Sequence, residues 1–212
     1  MAIPTFAELA AEAAPQIDEL ALALAAELRE DIDADGALAR LDELGNEVRR
    51  FGGDGLAALR EVLGRRHGFI GEREEYDHPD NSMLDLVLAR RAGLPIVLSV
   101  VYVAVAGRSG IALSGIGLPG HYVVGRFETA GPELLDPFEG GIPVAQPPAG
   151  ARPWGPHETA LRMLNNLVGS YTRRGDLGRA IRSAELRLKL PLERAPAEAL
   201  GAELRALRAR LN

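Results

Sequence analysis

The sequence predicts an α+β fold with helices at both ends and short strands between them. Two observations carry that reading. Apolar residues recur at helical spacing through the first 92 residues and again after residue 156, whereas 19 of the 38 glycines and prolines fall between Gly107 and Pro156. Such a density breaks helices and marks turns between short strands. Charge follows the same division: 20 acidic against 10 basic residues in 1–92, 4 against 3 in 93–156 and 6 against 11 in 157–212, a net of −6 over the 212 residues.

Each element has its own signal. Phe6, Leu9 and Ala13, then Ile17, Leu20, Leu24 and Leu28, mark two helices, with Thr5 as a candidate N-cap and Pro15 between them. Leu38, Leu41, Leu44 and Val48, then Leu56, Leu59 and Leu63, continue the pattern across a Gly52-Gly53 break. Asn81 or Ser82 can cap a helix that holds Leu84 and Leu88 and stops at Gly93, and Pro95 stands where another can begin. The run from Ile96 to Ala106 is ambiguous. Its β-branched residues favour a strand, while its length and the Gly110 stop favour a buried helix; propensity alone selects the strand. Leu113–Leu118, His121–Phe127 and Glu133–Asp136 read as strands, with His121, Val123, Gly125 and Phe127 on one face. The stretch from Pro143 to Pro156 is either a lid or a linker. Asn166-Leu167, Tyr171, Gly175-Asp176, Ala180-Ile181 and Pro191 resemble one tetratricopeptide repeat, followed by an amphipathic helix at Leu200, Leu204, Leu207 and Leu211.

Composition excludes several classes. With 47% apolar and 25% charged residues the chain can bury a core, so disorder is not its main state. The absence of cysteine excludes a disulfide framework, cysteine-ligated zinc, an iron–sulfur cluster and any thiol nucleophile. Glu8, Glu12, Asp18 and Glu19 stand where a secretory signal would need an apolar core. The longest apolar run, broken by Ser99 and Tyr102, is well short of the roughly 20 residues of a membrane span. The expectation is a cytoplasmic protein without a membrane partner.

Little in the sequence speaks for a cofactor. Gly115-Ile-Gly-Leu-Pro-Gly120 matches the dinucleotide fingerprint formally, but the residues after it read as a strand, which makes it a hairpin turn. His67, His78, His121 and His157 are too scattered for a metal centre. No cofactor and no metal are expected. His121 opens one strand and Asp136 ends the next, so antiparallel pairing can bring imidazole and carboxylate within hydrogen-bond reach; the alternative is a strand-edge histidine and a turn-forming Asp before Pro137.

Gly93-Leu94-Pro95-Ile96 with Leu98-Ser99, Gly115 to Tyr122, Leu135-Asp136-Pro137-Phe138 with Gly140-Gly141, and the upstream Tyr76, Asn81-Ser82 and Leu84 resemble the SirB-type transglutaminase-like family. The likeness covers about residues 75–142 and extends to that family's C-terminal tetratricopeptide-like helices near 158–191. It implies a helical lobe over 1–72, a papain-like transglutaminase core over 73–152 and tetratricopeptide-like helices over 153–212. It also implies a site in which active relatives use a Cys at the start of a buried helix, a His on the first strand and an Asp on the next. There the helix dipole and His⁺ stabilise a thiolate that attacks an amide carbonyl. Here His121 matches the His and Asp136 the Asp, and the nucleophile position falls on or beside Pro95. Ser99, one turn further on, is expected as a core hydroxyl bonded to a preceding carbonyl.

Removing the nucleophile leaves a triad enzyme only about 10³–10⁴ over water. The resemblance therefore predicts the fold and argues against its best-known activity. The expected role is a non-catalytic, protein-binding or regulatory module with a protein or peptide partner, its cleft formed by His121 and Asp136 with Asn81, Ser82, Ser99, Gly120 and Tyr122. The rival is a hydrolase without covalent intermediate in which His121, oriented by Asp136, acts as general base. A nucleic-acid reading would use Arg173, Arg174, Arg179, Arg182, Arg205, Arg208 and Arg210. The acidic N-terminal part offers those arginines an internal counter-surface, and only Tyr171 among them could stack on a base, which argues against it.

Overall fold

Residues 3–128, 131–145 and 150–211 are described by the structure, a computed structural model. Thr5 starts α1 (Phe6–Ala11) with a capping box: its hydroxyl accepts from Glu8 N while the Glu8 carboxylate accepts from Thr5 N. α2 (Ile17–Ala26) is buried from Leu20 through Ala25, and α3 (Ala34–Phe51), capped by Asp33, stops at Gly52 with φ 68°. α4 (Gly55–Leu59) runs on into a π-helical turn over Arg60–Arg66. Gly64 sits in that turn because a Cβ there would lie 2.0 Å from the Gly140 carbonyl oxygen.

Two short strands, β1 (Ile70–Gly71) and β2 (Ala92–Gly93), pair in parallel around α5 (Leu84–Arg90). Asn81 and Ser82 do not cap α5: they belong to a 3₁₀ turn, Pro79–Ser82, and α5 starts after Met83 without a side-chain cap. It ends at Arg91, in the left-handed region at φ 61°, before reaching Gly93. The β-branched run is a helix, α6 (Pro95–Arg108), with Pro95 in the first turn. Burial explains the departure from propensity. α6 packs on α3 and α2 on one side and on the sheet on the other, so Val97, Leu98, Val101, Tyr102 and Val105 are all fully enclosed. Tertiary packing outweighs the few tenths of a kcal/mol per residue by which β-branched side chains disfavour a helix.

The main sheet is an antiparallel meander, β3 (Ser114–Leu118), β4 (His121–Glu128), β5 (Gly131–Asp136) and β6 (Ile142–Pro143). Pro119 and Gly120 make the β3–β4 turn, Gly120 with φ 69°. Of the segment from Pro143 to Pro156, residues 146–149 lie outside the described residues; Trp154 N donates to Gly115 O, fastening that end to the outer edge of β3. α7 (Pro156–Arg173) and α8 (Leu177–Arg187) form a hairpin turning at Gly175, φ 77°, and α9 (Arg194–Ala209) follows. One apolar core extends from Phe6 to Leu190, with satellites formed by Ile116, Val123 and Leu134 on the far face of the sheet and by Ile181, Ala184, Leu204 and Leu207 between α8 and α9. Among the described residues no helix is long and apolar enough to cross a membrane.

Candidate functional site

β4 and β5 are in register with Val124 opposite Leu135, which places Asp136 opposite Val123 and on the same face as His121. His121 Nε2 and Asp136 Oδ2 are 2.7 Å apart. The second oxygen, Oδ1, accepts from Phe138 N at 3.0 Å, making Asp136 the cap of a 3₁₀ turn, Pro137–Glu139. One carboxylate thus fixes the turn and the imidazole together. Its demand for a donor puts the proton of a neutral His121 on Nε2 and leaves the Nδ1 lone pair free. The His121 side chain is 32% exposed and that of Asp136 17%, so the ring is open to a ligand while its partner is largely screened.

Phe138 forms the next wall. Its ring meets His121 edge to face at 6.1 Å and Tyr76 at 6.0 Å, and the Arg73 guanidinium lies 5.0 Å above it. Gly71 makes room for this ring, since a Cβ there would come within 2.3 Å of it. Behind the pair, Tyr102 on α6 has a buried hydroxyl without a hydrogen-bond partner among the described residues; burial, assisted by the Asp136 charge, holds it well above the ordinary tyrosine range.

The start of α6 is held by Asn81. Leu94 N donates to Asn81 O at 3.0 Å, and Asn81 Nδ2 donates to the carbonyls of Glu75 at 2.7 Å and Tyr76 at 3.3 Å. Pro95, buried in the first turn, brings neither a side-chain nucleophile nor an N–H. Ser82 lines a cavity of about 110 Å³ with Tyr76, His78, Leu94, Asn166 and Ser170. Tyr76 therefore links the His121–Phe138 contact to the helix start.

Ser99 and Tyr122 lie elsewhere. Tyr122 points to the opposite face of β4 from His121, and both residues line a second cavity of about 200 Å³. The Ser99 hydroxyl is fully buried and, contrary to the expected bond to a preceding carbonyl, has no partner among the described residues. Gly120 serves the hairpin turn through its positive φ. Of the expected set, the structure brings together His121 and Asp136, puts Asn81 and Ser82 at the adjacent helix start, and separates Ser99 and Tyr122. Phe138 and Tyr76, named in the sequence only as part of the resemblance, and Arg73, which was not named, join the site; a further signal was Gly71, whose missing side chain makes way for the Phe138 ring.

Three of the C-terminal arginines are paired at the surface: Arg173 with Asp77, Arg182 with Glu27 and Arg208 with Glu185. Among the described residues no three His, Asp or Glu side chains gather as metal ligands.

The family described as "Transglutaminase-like superfamily" matches residues 12–179 of the chain. A UPF0162 protein of Xylella fastidiosa is 36% identical over 155 residues, 64% of this chain and 55% of the relative. A UPF0162 protein of Pseudomonas aeruginosa is 35% identical over 135 residues, 61% of this chain and 49% of the relative. F-box only protein 21 of Homo sapiens is 32% identical over 84 residues, 40% of this chain and 13% of that protein. The chain spans about half the length of the UPF0162 relatives. No solved structure matches it significantly.

Proposed function

The chain belongs to the transglutaminase-like superfamily, and from that premise we propose that it is a member which has left covalent amide chemistry and works as a protein- or peptide-binding, regulatory module. One observation carries the reading: the chain has no cysteine, and Pro95 occupies the helix start where the resemblance requires a thiol. The helix start and a paired His121–Asp136 without a nucleophile retain what binds an extended backbone. Nδ1 of His121 accepts from a peptide N–H, and the rings of Phe138 and Tyr76 offer an apolar shelf beside it. In this reading the protein is SirB-type and cytoplasmic, residues 73–152 are its core, and the helices over 153–212 are tetratricopeptide-like, a second surface of the kind used for protein contacts. Asn81 and Ser82 wall the cleft.

The test is affinity capture from host lysate with the intact chain, His121→Ala and Tyr76→Ala, followed by titration of each captured partner in purified form. Both variants are surface-accessible changes expected to fold. A partner bound at least tenfold more weakly by both supports the module; partners bound equally by all three chains refute the cleft.

The 2.7 Å His121–Asp136 bond with an open imidazole favours one second reading, a hydrolase in which His121 activates water. It requires turnover of activated esters or amides that disappears in His121→Ala.

A further inference from the structure

We propose that the cavity behind the sheet binds a small neutral molecule carrying one hydroxyl on an apolar or aromatic body, a phenol in class. The site lies between the α1–α2 connection, the middle of α6, the start of β3 and the start of α7, on the other side of β4 from His121, and it does not depend on the role of the cleft.

Its size, about 200 Å³, exceeds the roughly 150 Å³ of an engineered cavity that takes up benzene, so a substituted ring fits. Its lining contains no Asp, Glu, Lys or Arg, which selects an uncharged ligand. Val100, Val103 and Trp154 supply apolar wall. Ser99 supplies the specific demand: a completely buried hydroxyl with no partner among the described residues, a deficit that a ligand oxygen removes.

A second polar atom completes the match. The Thr159 hydroxyl donates its proton to Gly155 O at 2.9 Å, so in the 2.8 Å contact with Tyr122 it is Tyr122 that donates. The Tyr122 oxygen keeps a free lone pair, and burial pushes its pKa up to about 12, so it stays protonated. A ligand hydroxyl accepts from Ser99 and donates to Tyr122.

The experiment is calorimetric titration of the full chain with phenol and with toluene, which share a ring and differ in the hydroxyl. Phenol is expected to bind one to one with a Kd below about 1 mM, at least tenfold more tightly than toluene. Ser99→Ala, which removes the orphaned group without adding bulk, should reduce that preference to less than threefold while toluene affinity is unchanged or improved. Val103→Phe, which fills the cavity, should abolish binding of both, with its folding checked by far-UV circular dichroism and a cooperative urea transition. Absence of saturable phenol binding, a preference below tenfold, a preference that survives Ser99→Ala, or undiminished binding in folded Val103→Phe each overturns the proposal.

Discussion

Asp136 holds two structures with two oxygens, and substitutions can separate them. Asp136→Ala removes the cap of the Pro137 turn and the partner of His121 together. We expect a loss of about 1–2 kcal/mol in urea unfolding, and about half of that for Asp136→Asn, whose amide oxygen still accepts from Phe138 N. Equal losses would mean that the cap contributes nothing. Tyr102→Phe should leave stability unchanged or raise it by about 0.5–1 kcal/mol, because it deletes a buried hydroxyl that has no partner; a clear loss would reveal a bond to Tyr102. The closeness of His121 to Asp136 was legible in the sequence because two consecutive short strands that pair antiparallel set the start of the first beside the end of the second. The separation of Ser99 from them was not, since it depends on which face of a fully enclosed helix meets which face of the sheet.

At the scale of the element, glycines report where parts meet. A Cβ on Gly117 would lie 2.1 Å from the Trp154 ring, whereas one on Gly107, in α6, meets nothing within 4 Å. Gly117→Ala is therefore expected to cost about 1–3 kcal/mol and to shift the Trp154 emission to the red as the ring leaves the edge of β3. Gly107→Ala should stabilise by about 0.5–1 kcal/mol with the emission unchanged. Identical spectra for the two variants would contradict the packing of Trp154 on Gly117. The strands β3, β4 and β5 and the flanking helices could be read from Gly/Pro punctuation and apolar period. α6 could not, because burial on all sides erases the period and leaves only β-branched content, which points the wrong way. β1 and β2, two residues each, are too short to carry any period, and Arg91 takes a left-handed conformation more often given to glycine.

Across the whole molecule the unequal charge of the two ends becomes cohesion at two places, where Arg173 meets Asp77 and Arg182 meets Glu27, and other ion pairs form within each end. Asp77 is held below the ordinary carboxylate range by the Arg173 hydrogen bond, Glu185 by those of Arg208 and Arg182, Glu47 by His67 and Glu158 by Arg152. A carboxylate whose pKa is lower folded than unfolded stabilises fully above the unfolded value, and that stability disappears as pH falls through the folded one. The urea midpoint should accordingly hold steady above the ordinary Glu value of 4.5 and decline below it. A midpoint that is flat down to pH 3 would contradict these pairings. These carboxylates are half-buried and their arginine partners exposed, so added salt should shrink the difference. The parallel clasp of β1 on β2 has a further consequence. Ile70 N to Arg91 O and Glu72 N to Gly93 O join the two ends of the segment over residues 72–91, whose helix α5 is itself packed into the core, and Gly71 beside them makes the room for Phe138. Two-residue strands near the surface exchange sooner than the enclosed interior of a long helix. The amide of Glu72, at the end of that short strand pair, will take up deuterium from solvent well before the interior amides of α6.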